Sequence, residues 1–262
     1  MKYYTQQWWH DGQKAHIQYM LKASDEAKDF SEEYFQRLYQ EHMDKNMTGY
    51  LEFADEDDLK RQSAEEFASN YYLGRLSTIN RLPTEIKDVI ADIRVAALGF
   101  VTQDVLEKIK AFCENISVQT KTAMDSYRDY YNNIKGSIPK QIEKPLSRQH
   151  EARIKKIGML NGDYIIETKL GYSVHAGYTE YTFKFKNASV LQDMAVKGDC
   201  LMWDYTEIYL RDGGYEVHIL FHVWFSPWER NQGITLTDVI IFAEDIEVEA
   251  VTHEPESYTE FL

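Results

Sequence analysis

The sequence predicts an α+β protein, a helical amino-terminal region followed by a mainly antiparallel sheet, and three observations carry that expectation. Apolar residues recur at three- and four-residue spacing up to about residue 157 and alternate with polar ones afterwards. The one glycine pair, Gly213-Gly214, and the one Asn-Gly step, Asn161-Gly162, both suited to tight turns, fall in the second part. Charge divides at the same place: residues 1–156 carry 23 Lys/Arg against 25 Asp/Glu, and residues 157–262 carry 6 against 18. The expected organisation is a helical region at 1–135, a linker and connecting helix at 136–158, a sheet region at 159–250 and an acidic tail at 251–262.

In order along the chain, Tyr3, Tyr4, Trp8 and Trp9 are bulky enough to pack residues 1–9 against the body, as a short strand ending at Asp11-Gly12. Gln13 to Lys22 reads as a short helix, and Ser24 caps another that carries Phe30, Tyr34, Leu38 and His42 as one stripe. Asp55-Glu56-Asp57-Asp58 marks an acidic helix start, and the next helix buries Leu59, Phe67 and Tyr71 before Gly74. Pro83-Thr84 opens a helix through Ile86, Ile90, Ile93 and Ala97 to Gly99. Thr102 caps a long run to Lys135, either one helix or two broken near Ser117 to Thr122. Gly136, Pro139 and Pro145 form a linker, and Leu146 to Ile157 resumes helical spacing. Strands follow at Asp163 to Lys169, Glu180 to Lys186, Leu201 to Leu210, Tyr215 to Phe225 and Thr237 to Val248, the last with a bulge near Ala243 and Glu244. Ala188 to Val196 reads as a short helix or crossover, and Arg211-Asp212-Gly213-Gly214 as a hairpin turn.

A net charge of −14 repels phosphate backbones and anionic lipid, which disfavours nucleic-acid and membrane-surface roles. Two cysteines, Cys113 and Cys200, fit a reducing, cytoplasmic setting better than a disulfide framework. No phosphate-binding glycine loop, H-E-x-x-H segment or G-x-S-x-G turn occurs, and no cofactor is implied.

Alternation places Trp203, Tyr205, Glu207 and Tyr209 on one side of their strand, and His218, Leu220, His222 and Trp224 on one side of the next. Trp203, Tyr205, Tyr209 and Trp224 then form either a buried sheet face or a surface for a peptide or protein, with acidic residues selecting a basic partner. Glu207, His218 and His222 are the weaker, catalytic candidates, as ligands of a divalent metal in a hydrolase. A regular strand holds His218 and His222 about 13 Å apart, too far to share one ion. Asp245, Glu247 and Glu249 share a strand face and form an acidic patch that requires solvent, a cation or a basic partner.

The opening Met1-Lys2-Tyr3-Tyr4-Thr5-Gln6-Gln7-Trp8-Trp9, with the helical-then-acidic layout, resembles uncharacterised proteins of Bacillus-type bacteria. That resemblance implies a bacterial cytoplasmic protein and transfers no activity to any residue.

Overall fold

The computed structural model describes residues 1–47, 64–171, 177–195, 200–224 and 235–254. The acidic run at Asp55–Asp58, the Ser226-Pro227-Trp228 segment and the tail beyond Glu254 lie outside the described residues. Two compact units form, one of Met1–Trp9 with Thr122–Leu262 and one of His10–Lys121. Their boundary falls inside a helix, where the sequence placed a division at 136–158.

The unit of residues 10–121 is helical. It takes in most of α1 (Gln6–Ala15), then α2 (Glu32–Met47), α3 (Leu73–Ile79), α4 (Thr84–Lys87), α5 (Ile93–Ala97) and the start of α6 (Gln103–Ile134). Two short parallel strands, β1 (Lys22–Ala23) and β2 (Phe100–Val101), tie its loops. A π-helical stretch, Phe67–Tyr72, runs straight into α3, so Gly74 does not end the helix. The expected helix from Ile86 to Ala97 divides in two because the Asp92 carboxylate accepts the Arg94 amide at 2.9 Å and restarts it. The Thr102 hydroxyl accepts the Val105 N–H at the start of α6, which continues unbroken for 32 residues.

Among the described residues eight antiparallel strands form the sheet of the other unit: β3 (Ala152–Leu160), β4 (Asp163–Leu170), β5 (Tyr178–Lys186), β6 (Ser189–Gln192), β7 (Cys200–Arg211), β8 (Gly214–Trp224), β9 (Thr235–Ala243) and β10 (Asp245–His253). Their order is β10-β5-β4-β3-β7-β8-β9-β6. In a flat sheet β5 and β7 stand about 14 Å apart at about 4.8 Å per step. Yet the Phe183 and Trp203 rings are 5.3 Å apart, so the sheet curls around a shared interior. The stretch 235–253 changes partner at Glu244, pairing with β8 before it and β5 after it. β9 and β10, consecutive in the chain, thereby link both sides of the curl, an exchange of partners that the phase shift at Ala243–Glu244 marks in sequence.

Four expectations need correction. Residues 6–9 begin a helix rather than ending a strand. The 136–145 linker is helical except at Ile138 and Pro139, and in α7 (Lys140–Ser147) Ile142 and Leu146 are buried against the sheet. Leu146 to Ile157 is not one helix: Glu151 takes a φ of 65°, and β3 starts at Ala152, whose apolar spacing imitates a helix because the strand bulges between Ile154 and Lys156. Ala188 to Val196 holds an edge strand, β6.

Among the described residues no helix is long and apolar enough to cross a membrane. Glycine is required at position 214, where a Cβ would collide with the Ala243 carbonyl as β9 turns toward β10. Nothing surrounds a Cβ at Gly12, inside α1. Gly214→Ala should therefore cost about 1–3 kcal/mol, and Gly12→Ala should add about 0.5–1 kcal/mol, both measured by denaturant unfolding.

Candidate binding face

The outer face of β7 and β8 is built around a bulge. Pairing between the two strands runs regularly from Cys200 to Trp203, skips at Asp204 and resumes at Tyr205. Trp203 therefore points to the interior, wholly buried against Phe183 and Phe221, with its indole N–H donated to the Thr206 hydroxyl at 2.7 Å. Tyr205, Glu207 and Tyr209 point the other way. The expectation that Trp203 shares their face is thus corrected, and Trp203 is no surface anchor. Trp224 pairs with Cys200 as the last residue of β8.

The face that remains is covered by the chain's own residues 1–9. Glu207 is fully buried, and its two carboxylate oxygens accept the backbone N–H groups of Lys2, Tyr3 and Tyr4 at 2.8, 2.7 and 2.6 Å. A fourth donor is the Tyr209 hydroxyl at 2.6 Å. A charge sealed from water needs such bonds, since an unpaired one costs several kcal/mol. Burial beside this carboxylate raises the Tyr209 phenol far above its ordinary range and pushes Tyr4 up to about 12.

Aromatic contacts complete the seat. The Tyr4 ring lies 5.2 Å from Tyr205 and 5.1 Å from Tyr127 of α6, and Trp8 meets Tyr205 edge-on at 5.0 Å. The Lys2 ammonium stands 4.4 Å from the centre of the Tyr209 ring, a cation–π contact. The Tyr127 hydroxyl accepts the Ile208 N–H at 2.8 Å, on an edge of β7 that lies beyond the first residue of β3. Gln6 and Gln192 both donate to Asp238.

Glu207 and His218 do meet across the strands, as expected, with Nδ1 at 3.5 Å from a carboxylate oxygen. His218 bonds Glu216 at 2.7 Å through Nε2. Burial holds the His218 imidazole below its ordinary range, with the Glu216 bond opposing. Glu216, paired with Arg211, is pulled down to about 2. His222 joins a different carboxylate, Asp204, at 3.5 Å, and His150 approaches the same group at 3.4 Å. Burial drives Asp204 up and His222 down, each countered by the other. Among the described residues no three His, Cys, Asp or Glu side chains are grouped to hold a metal ion.

Asp245, Glu247 and Glu249 lie exposed along β10 while Ile246 between them is buried. Two features escaped the sequence reading. Asp204 is one, although the aliphatic positions change phase around it, from Leu201 to Ile208 and Leu210. The other is the set of backbone amides at 2–4, which no side-chain pattern announces.

A family model described as protein of unknown function (DUF4085) matches residues 3–229, and the chain belongs to that family. No curated protein and no solved structure matches it.

Two outcomes follow from this geometry. Glu207→Gln puts an amide N–H against backbone donors and should cost about 2–4 kcal/mol in denaturant unfolding. Burial holds the His218 and His222 imidazoles below their ordinary range in the fold, whereas in the unfolded chain each takes a proton near 6.5. Stability should accordingly fall as pH drops below 6.5, by up to about 1.4 kcal/mol per pH unit and per fully suppressed site. Asp204, raised in the fold, acts in the opposite sense at lower pH. Comparing unfolding midpoints at neutral and mildly acidic pH, the difference should shrink in His218→Gln.

Proposed function

We propose that the sheet unit of this family member is a peptide-binding module whose acidic, aromatic face takes a peptide segment by its backbone amides. Residues 1–9 are the segment it holds in the present state. One observation carries this reading: a buried carboxylate, Glu207, accepts three consecutive backbone amides. Backbone donors are independent of sequence, so this contact fixes a segment's position and direction, and side chains supply the selectivity. Tyr205 and Tyr127 select an aromatic residue where Tyr4 now lies, and Tyr209 selects a cation where Lys2 lies.

A basic, aromatic peptide or protein segment is the partner that fits, and nucleic acid or an anionic membrane is not. Two free cysteines and the character of residues 1–9 support placing it in the cytoplasm of a bacterium. The hydrolase reading has less behind it, because His218 and His222 serve separate carboxylates.

A tethered segment competes at an effective concentration of about millimolar, so an outside peptide gains access only when the tether's contacts are weakened. The test uses the full chain carrying Tyr3→Gly and Tyr4→Gly, titrated with a fluorescent peptide of residues 1–9. The variant should bind it at least about tenfold more tightly than the unaltered chain does, and Lys2→Glu in the peptide should reduce binding. A variant that keeps its β-sheet circular dichroism but ignores the peptide would rule the reading out.

A further inference from the structure

A cavity opens where the curled sheet comes apart. β3 and β7 pair only at Ala152–Trp203 and Arg153–Met202. Continuing that register would bring Ile154 to Leu201 and Lys155 to Cys200, and neither pair forms. β3 instead bulges, and its Gly158 takes a φ of 147°, a conformation closed to most side chains. The strands part around a cavity of about 530 Å³.

Its lining is mixed, and the apolar side chains in it are Ile157 and Met159 from β3, Val190 from β6, Met194 beyond it, and Leu201 from β7. Apolar surface continues along the same strands, with Met159, Leu160 and Leu191 exposed at 52, 51 and 57%. Of these only Met159 lines the cavity itself. The polar part of the lining comes from Tyr164 and Asp193. Burial and the nearby Asp193 charge push the Tyr164 phenol up to about 12, which keeps it a neutral donor and acceptor. The Met194 N–H, donated to Asp193 at 2.8 Å, fixes that carboxylate. No Lys or Arg lines the cavity among the described residues.

We propose that this cavity is a binding site for a small amphiphilic amine, an alkyl- or arylalkylammonium ion. The hydrocarbon lies against Met159, Val190, Met194 and Leu201, and the ammonium sits at Asp193 beside the Tyr164 hydroxyl. The volume falls within the roughly 300–1,000 Å³ typical of small-molecule sites. Two methionines allow the wall to adapt to different hydrocarbon shapes. A carboxylate with no lining cation among the described residues, in a strongly acidic region, favours a positive head group over a negative one. This site shares no residue with the Glu207 face, so the two stand or fall separately.

The test is calorimetric titration of the intact chain at neutral pH with hexylamine, hexanol and hexanoate, three probes of one chain length. Hexylamine should bind at about millimolar or better, and at least about tenfold more tightly than hexanoate. Asp193→Asn should reduce the preference for hexylamine over hexanol by about two- to fivefold, the range for an exposed ion pair. Met159→Trp fills the cavity from a half-exposed position and should weaken all binding while leaving the unfolding midpoint in place. Hexanoate binding as tight as hexylamine, amine binding untouched by both substitutions, or no amine binding at about 10 mM would each overturn the proposal.

Discussion

The carboxylate of Glu207 is sealed from water on the outer face of β7, and no Lys or Arg pairs with it among the described residues. Its charge is met by three amide N–H groups and one phenol. Charge-assisted bonds of this kind are about twice as strong as neutral ones, and the three from the amides are lost together if residues 2–4 lift away. The position of the amino-terminal segment is thereby dictated from within the sheet. Tyr4 and Trp8 are then brought to the rings of Tyr127 and Tyr205, which add apolar burial around the polar centre. A segment far away in sequence becomes part of the unit that forms from residue 122 onward.

The bulge at Asp204 makes that arrangement possible. A strand without it would carry Trp203 onto the same side as Glu207, leaving the interior without its largest side chain and the outer face without room for a second layer. With the extra residue, Trp203 fills the curl and Glu207 meets the amides. Asp204 itself is buried beside His222 and His150, so the device that changes the phase also places a second carboxylate among imidazoles. The same curl needs Gly214, where β9 passes too close for any side chain.

Much of the fold was legible because periodicity is a direct imprint of burial. Tyr181, Phe183 and Phe185 alternate in sequence and all three are buried. Thr102 caps the long helix as its position suggests, and Asp212-Gly213 turns the β7–β8 hairpin. Where local pattern and tertiary pairing conflicted, the pattern misled. Ile154 and Ile157 are three apart as on a helix, yet a bulge places them on a strand. Extrapolating one parity from 203 to 209 failed for the same reason, since a single inserted residue reverses every later side chain. The meeting of Glu207 with His218 was legible from cross-strand register. Its stronger bonds, to backbone amides some 200 positions away, have no side-chain signature at all.

Residue-resolved amide hydrogen exchange on the unaltered chain tests the central claim most directly. The N–H groups of Lys2, Tyr3 and Tyr4 should be protected to nearly the same degree as those inside β8, because opening them strands a buried charge. Exchange at these three positions as fast as in a free peptide, with β8 still protected, would contradict the account.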